Sequence, residues 1–263
     1  MPNILPRAEY LDPRPASEAD SAPISRAVNI PATELARRRD ELPSKHVPVA
    51  VCEGVSGWEE AEHWLNSNGW EARCASGWTP GHRDEPLGRL WAPNELLESW
   101  LSSARATGVA LDLGCGGGRE AVFLAANGWR VLAVDRLNEN LHRGSQLAER
   151  YLESKASQRI TWEKQDVLGA WRPPGRYDLI LSFFLFDPGL LAGTAGRLAE
   201  GGTLLLEAFT PARRRTHGKP SSPDRVFDPA SANEVLNGLE VVQLEQVDGS
   251  VGQTARVIAR RSH

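Results

Sequence analysis

The sequence predicts an α/β fold built on parallel strands, and three observations lead to this prediction. Residues Val109–Leu113 form a short apolar run, which is typical of a strand buried on both faces of a parallel sheet. Glycines follow this run at once, and a helical pattern of apolar residues begins at Ala121. Further segments that predict strands then recur along the chain; they span residues 129–135, 160–167, 177–183 and 201–209.

The glycines after the first strand indicate a turn that lies close to a nucleotide ligand. Glycine permits a tight turn and leaves the backbone bare, so that a ligand can lie against it. A dinucleotide-binding turn carries glycine at its first, third and sixth positions. Gly114 and Gly116 occupy the first two of these positions, but Arg119 stands at the sixth. An NAD-dependent oxidoreductase is therefore disfavoured, and a turn that only packs a helix on the sheet stays open for this segment taken alone.

Acidic residues end the next two predicted strands. Asp135 lies roughly 20 residues beyond the glycine turn, where a carboxylate accepts hydrogen bonds from both ribose hydroxyls of a nucleotide. Asp166 ends the strand after it. Glycines at 114, 116 and 118 behind an Asp-Leu strand end, followed by these acids in this order, resemble the motifs of class I S-adenosylmethionine (SAM) methyltransferases.

The resemblance implies a Rossmann-like domain with seven strands, of which runs 239–244 and 254–259 are the antiparallel sixth and seventh. It implies SAM as cofactor, S-adenosylhomocysteine as product, and no metal. In these enzymes the acid at the position of Asp166 accepts from the adenine amino group. The implied cofactor-binding residues are Asp112, Gly114, Cys115, Gly116, Asp135, Arg136, Asp166, Val167, Ser182 and Phe183.

Composition limits the classes of partner and compartment. The chain has 263 residues, 41% of them hydrophobic and 24% charged, which is ordinary for a globular protein. A net charge of −4 gives no electrostatic reason to expect a nucleic acid partner, and no apolar run approaches a membrane span. The three cysteines lack metal-ligand spacing and are odd in number, and residues 1–20 do not resemble a secretory signal. We therefore expect a cytoplasmic protein with a small-molecule partner, in an oligomeric state that the sequence leaves open.

The first third of the chain resembles a rhodanese-like domain. Residues 10–15 (Tyr-Leu-Asp-Pro-Arg-Pro) resemble that family's strand ending in Asp-x-Arg, and residues 26–31 resemble its Asn-Ile-Pro turn. Residues 33–41 are expected as a charged helix with Thr33 as its N-cap. The strand 47–51 then delivers Cys52, at the position of the family's persulfide-forming cysteine.

The role of Cys52 has two interpretations. It is either a sulfur-transfer nucleophile or a cysteine left in a degenerate, non-catalytic rhodanese fold. The loop after it lacks the family's arginine and carries Glu53, which would raise the pKa of a neighbouring thiol. The domain prediction is a rhodanese-like domain over 1–80, a linker over 81–89 and a class I methyltransferase domain over 90–263.

The acceptor side of the second domain is predicted to be apolar, with cations at its rim. Enzymes that methylate nucleobase amines carry an Asn- or Asp-Pro-Pro-aromatic motif after the fourth strand, where this chain has Ser-Phe-Phe-Leu at 182–185. Residues 90–101 are expected as an amphipathic helix that folds over the cofactor, as in the tellurite and thiopurine enzymes, and the Glu-Ala-Phe-Thr-Pro run at 207–211 with its basic loop resembles their small bacterial relatives. The expected acceptor-side residues are Trp91, Phe184, Arg213 and Arg214, with His217 as a candidate catalytic proton acceptor.

The predicted activity is methyl transfer from SAM to a small thiol or another soft chalcogen nucleophile. Methyl transfer from a sulfonium needs positioning more than acid–base chemistry, and a soft anion needs little help from a base. An O- or N-methyltransferase of a small metabolite and a non-catalytic SAM-binding or docking protein are the alternatives.

Overall fold

The computed structural model describes residues 6–85, 87–104, 106–249 and 252–262. The chain divides into two compact units, Asn3–Ala92 and Pro93–His263, and each has its own hydrophobic core. Residues 1–5 of the predicted first domain and residue 263 of the predicted second domain lie outside the described residues. The segment 81–89, expected as a linker, is bonded to the first unit: the Gly81 N–H donates to the Pro23 carbonyl, and Arg89 pairs with Arg7 in an isolated bridge.

The first unit is a small α/β fold with an all-parallel sheet. Its strands have the order β2-β1-β3-β4, and Leu11, Val28, Val49 and Val51 are buried in its core. The elements are β1 (Tyr10–Asp12), α1 (Ala16–Ser21), β2 (Ala27–Asn29), β3 (Val49–Cys52), α2 (Trp58–Ser67) and β4 (Ala72–Ala75).

The charged helix predicted for residues 33–41 is absent from the structure, and Thr33 is not an N-cap. Two 3₁₀ turns, Ala32–Glu34 and Arg39–Glu41, stand there instead. The turns bury Leu35 and Leu42, and Arg38 pairs with Glu41 at 2.6 Å. Side chains three residues apart eclipse one another in a 3₁₀ turn. The Arg38–Glu41 ion pair and the two buried leucines therefore favour 3₁₀ turns over a continuous α-helix here.

The second unit is a seven-stranded, mostly parallel sheet with helices on its faces, as predicted. Its strand order is β10-β11-β9-β8-β5-β6-β7, with β11 antiparallel to both of its neighbours. The strands are β5 (Val109–Leu113), β6 (Arg130–Asp135), β7 (Ile160–Lys164), β8 (Tyr177–Phe183), β9 (Leu198–Phe209), β10 (Glu240–Gly249) and β11 (Gly252–Arg260). The helices are α3 (Glu95–Ser103), α4 (Arg119–Ala126), α5 (Asn138–Tyr151), α6 (Ser154–Ser157), α7 (Pro188–Ala195), α8 (Pro211–His217) and α9 (Ala232–Val235).

Helix α3 begins five residues later than the pattern predicted. Asn94 caps it, because its side-chain oxygen accepts from the Leu96 N–H at 2.9 Å. Pro93 lies before the cap, and residues 90–93 are not helical.

The strand order places a crevice at the carboxyl ends of β5 and β8. The chain runs from β5 outward through β6 and β7, then returns to the other side of β5 as β8 and β9. Ligands of open α/β sheets bind at such a switch point, outside the carboxyl ends of the strands. Among the described residues, no helix combines the length and apolarity needed to cross a bilayer.

Candidate functional site

The turn between β5 and α4 has a bare backbone, which faces open space at Gly116. Gly114, Gly116 and Gly118 all adopt left-handed φ angles, of 69°, 52° and 77°. A Cβ added at Gly116 would meet no atom within 4 Å, whereas one at Gly118 would lie 2.5 Å from the Trp162 ring. Gly116 therefore leaves room for a ligand, and Gly118 lets α4 pack close to the aromatic ring on β7.

Asp135 ties this turn to the end of β6. Its nearly buried carboxylate accepts from the Gly116 N–H at 3.1 Å, the Leu137 N–H at 2.8 Å and the Asn140 amide at 3.1 Å. A carboxylate offers about four acceptor sites, so at least one remains for a ligand hydroxyl. The position predicted for the ribose acid is thus occupied by an oriented carboxylate.

Asp112, at the end of β5, is a buried carboxyl group with an unused acceptor. It is 4% exposed, and its Oδ2 atom has no hydrogen-bond partner among the residues that the structure describes. Burial raises the pKa of Asp112 well above its usual range, and the neighbouring Glu120 and Asp135 carboxylates add to the shift. A cationic group of a ligand would relieve both the repulsion and the unsatisfied oxygen.

Apolar side chains stand exposed beyond β6 and β7. Leu137 is 50% exposed and Leu168 38% exposed, each within four residues of its strand's end. Asp166, beside Leu168, is exposed and accepts from the Leu168 N–H at 3.1 Å, while Val167 is buried. Arg136 is exposed. Apolar surface next to an acceptor is the chemistry that a purine base requires.

A polar cluster that the sequence did not reveal centres on Glu207 of β9. Its buried carboxylate accepts from Asn94 Nδ2 at 2.8 Å, Thr254 Oγ1 at 2.8 Å and Arg256 Nε at 3.1 Å. We call Glu207, Asn94, Thr254 and Arg256 the Glu207 cluster. The Asn94 N–H also donates to Glu120 Oε1 at 3.0 Å, which joins this cluster to the first turn of α4. The sequence pointed to Glu207 itself, which begins the Glu-Ala-Phe-Thr-Pro run, but not to its partners elsewhere in the fold.

An aromatic wall lies beside the Glu207 cluster. Phe184 follows β8 with a φ of 56°, and its N–H donates to the Glu207 carbonyl at 2.7 Å. Its ring centroid lies 5.4 Å from that of Phe209, and the Arg213 guanidinium lies 3.9 Å from the Phe209 centroid. We call the Phe184 and Phe209 rings the aromatic wall.

Ser182 and Phe183 form the carboxyl end of β8. The Ser182 hydroxyl is buried and donates to the Leu185 carbonyl at 2.6 Å, so it holds the turn after β8. Phe183 is half-buried and pairs with Glu207 of β9 in the sheet. It is the last residue of β8 and directly precedes the exposed Phe184. Ser182 shapes the turn that presents Phe184.

Several other predicted residues are buried or are bonded to neighbouring groups. Trp91 is fully buried and falls in the first unit, and the buried Cys115 thiol contacts the Gly116 carbonyl at 3.9 Å. His217 bonds to Thr216 Oγ1 at 2.7 Å, and its Cε1 lies 3.1 Å from where a Cβ on Gly252 would stand. Arg214 donates to the Ser221 carbonyl at 3.1 Å.

Cys52 is fully buried at the end of β3 in the first unit. Burial raises the pKa of its thiol to about 12, and Asp12 adds to the shift while Arg14 opposes it. The acid that acts on the thiol is thus Asp12, and not Glu53 as the sequence suggested. Groups of three or more His, Cys, Asp and Glu side chains suited to a metal ion are not found in the part of the chain that the structure describes.

Comparison with known proteins identifies the domain type. Residues 110–202 match the family model described as a methyltransferase domain. Over 105 residues the chain is 32% identical to a tRNA1(Val) (adenine(37)-N6)-methyltransferase of Enterobacter sp. (strain 638), a match that covers 39% of this chain and 42% of that enzyme. The chain therefore spans less than half the length of this curated relative.

Solved structures match the second unit at the level of the fold. The N-methyltransferase NodS from Bradyrhizobium japonicum WM9, in complex with S-adenosyl-L-homocysteine, is 22% identical with a TM-score of 0.50, over 64% of this chain and 84% of that one. The magnesium protoporphyrin IX methyltransferase (ChlM) of Synechocystis PCC 6803, with bound SAH, is 17% identical with a TM-score of 0.51, over 64% and 80%. The second unit has the class I methyltransferase fold.

Proposed function

We propose that this chain, whose residues 110–202 match a methyltransferase domain, transfers the methyl group of SAM to a small-molecule acceptor. The observation that carries the proposal is the orphaned Oδ2 atom of Asp112, buried beside the glycine turn. SAM carries an ammonium and a sulfonium, and both are favoured near the Asp112, Glu120 and Asp135 carboxylates. Glycine at 116 leaves the space that the cofactor's backbone-facing side needs.

The other cofactor contacts follow from the same edge of the sheet. Asp135 would accept from the ribose hydroxyls, and Leu137 and Leu168 would contact the adenine ring beside Asp166. When bound, SAM supplies an electrophilic methyl group: an acceptor lone pair forms the new bond while the methyl–sulfonium bond breaks, and its electron pair stays on the sulfur of neutral S-adenosylhomocysteine. The residues of this chain bind the cofactor and the acceptor, orient them towards each other and exclude water from them.

A thiol or another soft chalcogen nucleophile is the acceptor that we propose. The carboxylate of Glu207 is occupied by three donors and cannot serve as a base without breaking the Glu207 cluster. His217 is exposed and bonded to Thr216, at the end of α8. An acceptor that ionises readily needs no base, and thiols are such acceptors.

A nucleobase amine is the second acceptor to test, because the named relative methylates an adenine of tRNA. Against it stands the Ser-Phe-Phe-Leu sequence at 182–185, which places an exposed phenyl ring after β8. We therefore propose a small molecule and no nucleic acid. A reducing compartment, the cytoplasm, is proposed because all three cysteines are unpaired.

The first unit is proposed to be a rhodanese-like domain that does not transfer sulfur. Its parallel sheet and the cysteine at the end of β3 support the resemblance. A thiol with a pKa of about 12 is protonated at neutral pH and is a poor nucleophile. The expected result is no transfer of sulfur from thiosulfate to cyanide by the intact protein, and turnover that is lost in Cys52→Ser would contradict this proposal.

The first test of the function is the Asp135→Ala variant. Removing charge-assisted hydrogen bonds worth about 1.5–3 kcal/mol each should weaken SAM binding by tenfold or more, as measured by calorimetry. Asp248→Ala, at an exposed position on β10, is the control and should bind SAM normally. Unchanged SAM affinity in folded Asp135→Ala would refute the role of Asp135.

The acceptor class is tested by S-adenosylhomocysteine release. The intact protein is incubated with SAM and a panel of thiols, phenols, amines and tRNA. We expect release with thiols. Release with only an oxygen or nitrogen acceptor would refute the chalcogen proposal, and SAM binding without release in any arm would indicate a SAM-binding protein that is not an enzyme.

A further inference from the structure

Phe184 has a combination of backbone and exposure that packing alone does not explain. A phenylalanine with a φ of 56° occupies a region that residues with a Cβ rarely adopt and that costs free energy. Its ring is nevertheless 46% exposed, so burial of the ring does not offset that cost. The Phe184 N–H bond to the Glu207 carbonyl and the Ser182 bond to the Leu185 carbonyl hold this conformation. Strained residues of this kind concentrate at ligand sites.

The exposed ring belongs to a layered arrangement. Phe184 and Phe209 lie at an interplanar angle of 36°, and the Arg213 guanidinium covers Phe209 at 3.9 Å from its centroid. Arg213 Nη1 also donates to the Lys219 carbonyl at 2.6 Å, which fixes the following loop beside the aromatic wall. The exposed Phe184 ring is therefore the open end of this tilted pair of rings.

The segment that follows Phe209 carries charge of one sign. Residues 211–219 contain Arg213, Arg214, Arg215 and Lys219 and no Asp or Glu, in a chain whose net charge is −4. The segment begins two residues after Phe209 and contains α8. Cations concentrated next to an aromatic face favour an anionic ligand that also has a flat apolar surface.

We propose that the aromatic wall and Arg213 form the acceptor subsite, and that the acceptor is a planar aromatic anion whose ring lies against Phe184. This inference rests on the proposed function, because it names the acceptor class of the same site. With an aromatic thiolate, the sulfur lone pair forms the bond to the methyl carbon, the bond from that carbon to the sulfonium breaks, and its electrons stay on the departing thioether. The proton of an un-ionised thiol passes to water.

The acceptor probes form a matched set. 2-Mercaptobenzoate has an aromatic ring, a carboxylate and a thiol; 3-mercaptopropionate lacks the ring, and benzenethiol lacks the carboxylate. We expect kcat/KM for 2-mercaptobenzoate to exceed that for either partial analogue by about tenfold. Calorimetry with S-adenosylhomocysteine present should show benzoate binding more tightly than cyclohexanecarboxylate, which is a readout independent of catalysis.

Variants separate recognition of the ring from folding. Phe184→Asn keeps a residue that tolerates positive φ and removes the ring, and Phe184→Tyr keeps the ring. Phe184→Asn should raise KM for 2-mercaptobenzoate about tenfold and KM for 3-mercaptopropionate by much less, and Phe184→Tyr should keep KM for 2-mercaptobenzoate near that of the parent protein. Arg213→Gln should remove the advantage of the carboxylate. Arg130→Gln, at the amino end of β6, is the control for the loss of a positive charge. Val242→Ala, at an exposed position on β10, is the control for the loss of apolar surface.

The outcomes distinguish this inference from the function beneath it. If SAM binds and thiols are methylated without preference for the ring, or if Phe184→Asn impairs all thiols equally, the inference fails and the proposed function stands. If SAM binds and neither these probes nor the wider panel of acceptors is methylated, the proposed methyl transfer and the acceptor subsite are both refuted. If SAM does not bind, both proposals fail together.

Discussion

The proposed role of Asp112 in binding SAM conflicts with the stability of the folded chain. Its raised pKa means that the folded chain keeps a proton that the unfolded chain loses above about pH 4. The unfolded state then binds fewer protons than the folded state, so the free energy of unfolding falls as pH rises from that value towards the folded pKa. Stability contributed at this position is therefore greatest in acid.

The Asp112→Asn variant should consequently gain stability and lose cofactor. Without SAM, its melting temperature at about pH 8 should exceed that of the parent protein, and the difference should shrink towards about pH 4. SAM affinity should fall, because the amide offers no charge to the ammonium. Asp248→Asn, at an exposed position, is the control. A variant that is less stable than the parent at every pH would contradict this account of Asp112.

The three cysteines should differ in reactivity because their burial differs. Cys74 is exposed, whereas Cys52 and Cys115 are buried and burial raises the pKa of both thiols. In the folded protein, we expect a maleimide to label Cys74 alone, and Cys74→Ser to abolish the fast labelling. Denaturant should expose all three cysteines. Rapid labelling of Cys52 in folded Cys74→Ser would show that the loop after β3 opens. It would then support the interpretation of Cys52 as a sulfur-transfer nucleophile.

Residues that act next to their own strand could be predicted, and residues that act across the fold could not. Asp112, Gly116 and Asp135 each lie within a few positions of a strand end, so a local pattern places them. The Glu207 cluster joins side chains 113 and 49 positions apart, from Asn94 to Glu207 and from Glu207 to Arg256. No short-range periodicity encodes such pairs.

At the scale of elements, the packing of α4 and α5 on β7 depends on two glycines. A Cβ on Gly118 would lie 2.5 Å from the Trp162 ring, and one on Gly144 would lie 2.6 Å from it. The same ring thus fills the gap left by a glycine on each helix. Gly144 lies in the middle of a helical pattern, and the residue that needs its missing Cβ, Trp162, lies 18 positions later. No local pattern in the sequence could show this requirement.

Gly144→Ala should therefore destabilise the protein although alanine favours helices. Overpacking of this kind costs about 1–3 kcal/mol in the free energy of unfolding, which denaturant titration measures. Gly193→Ala in α7 is the control: its Cβ would meet Arg172 no closer than 3.7 Å, so it should be neutral or stabilising by up to about 1 kcal/mol. Combining Gly144→Ala with Trp162→Leu should cost less than the two separate losses added. Strict additivity would mean that the two residues do not compete for space.

Strands of the second unit were predicted more accurately than the turns of the first. Buried parallel strands are marked by apolar runs, and all five segments predicted as parallel strands are strands in the structure. Residues 33–41 had the composition of a helix, but burial of Leu35 and Leu42 determined their path. Tertiary burial overrides local propensity where segments are short.

For the whole molecule, two separate cores imply two unfolding events. Calorimetry of the intact chain should resolve two transitions, and SAM should raise only the one that belongs to the second unit. At a SAM concentration of 100 times Kd the gain is about 2.7 kcal/mol. S-adenosylhomocysteine should act in the same way, whereas adenine alone should have a smaller effect. A single transition that shifts as a whole would show that the units unfold as one.

Strand β10 gives the sheet an open side. Eight of its ten residues are exposed, and the apolar Val242 and Leu244 are among them. A row of unpaired amides and carbonyls of this length invites another strand to add to it. Glu240, Glu245 and Asp248 stand on the same strand, so an approaching copy would meet three carboxylates. Repulsion between these carboxylates and those of an approaching copy therefore opposes the pairing of two such edges.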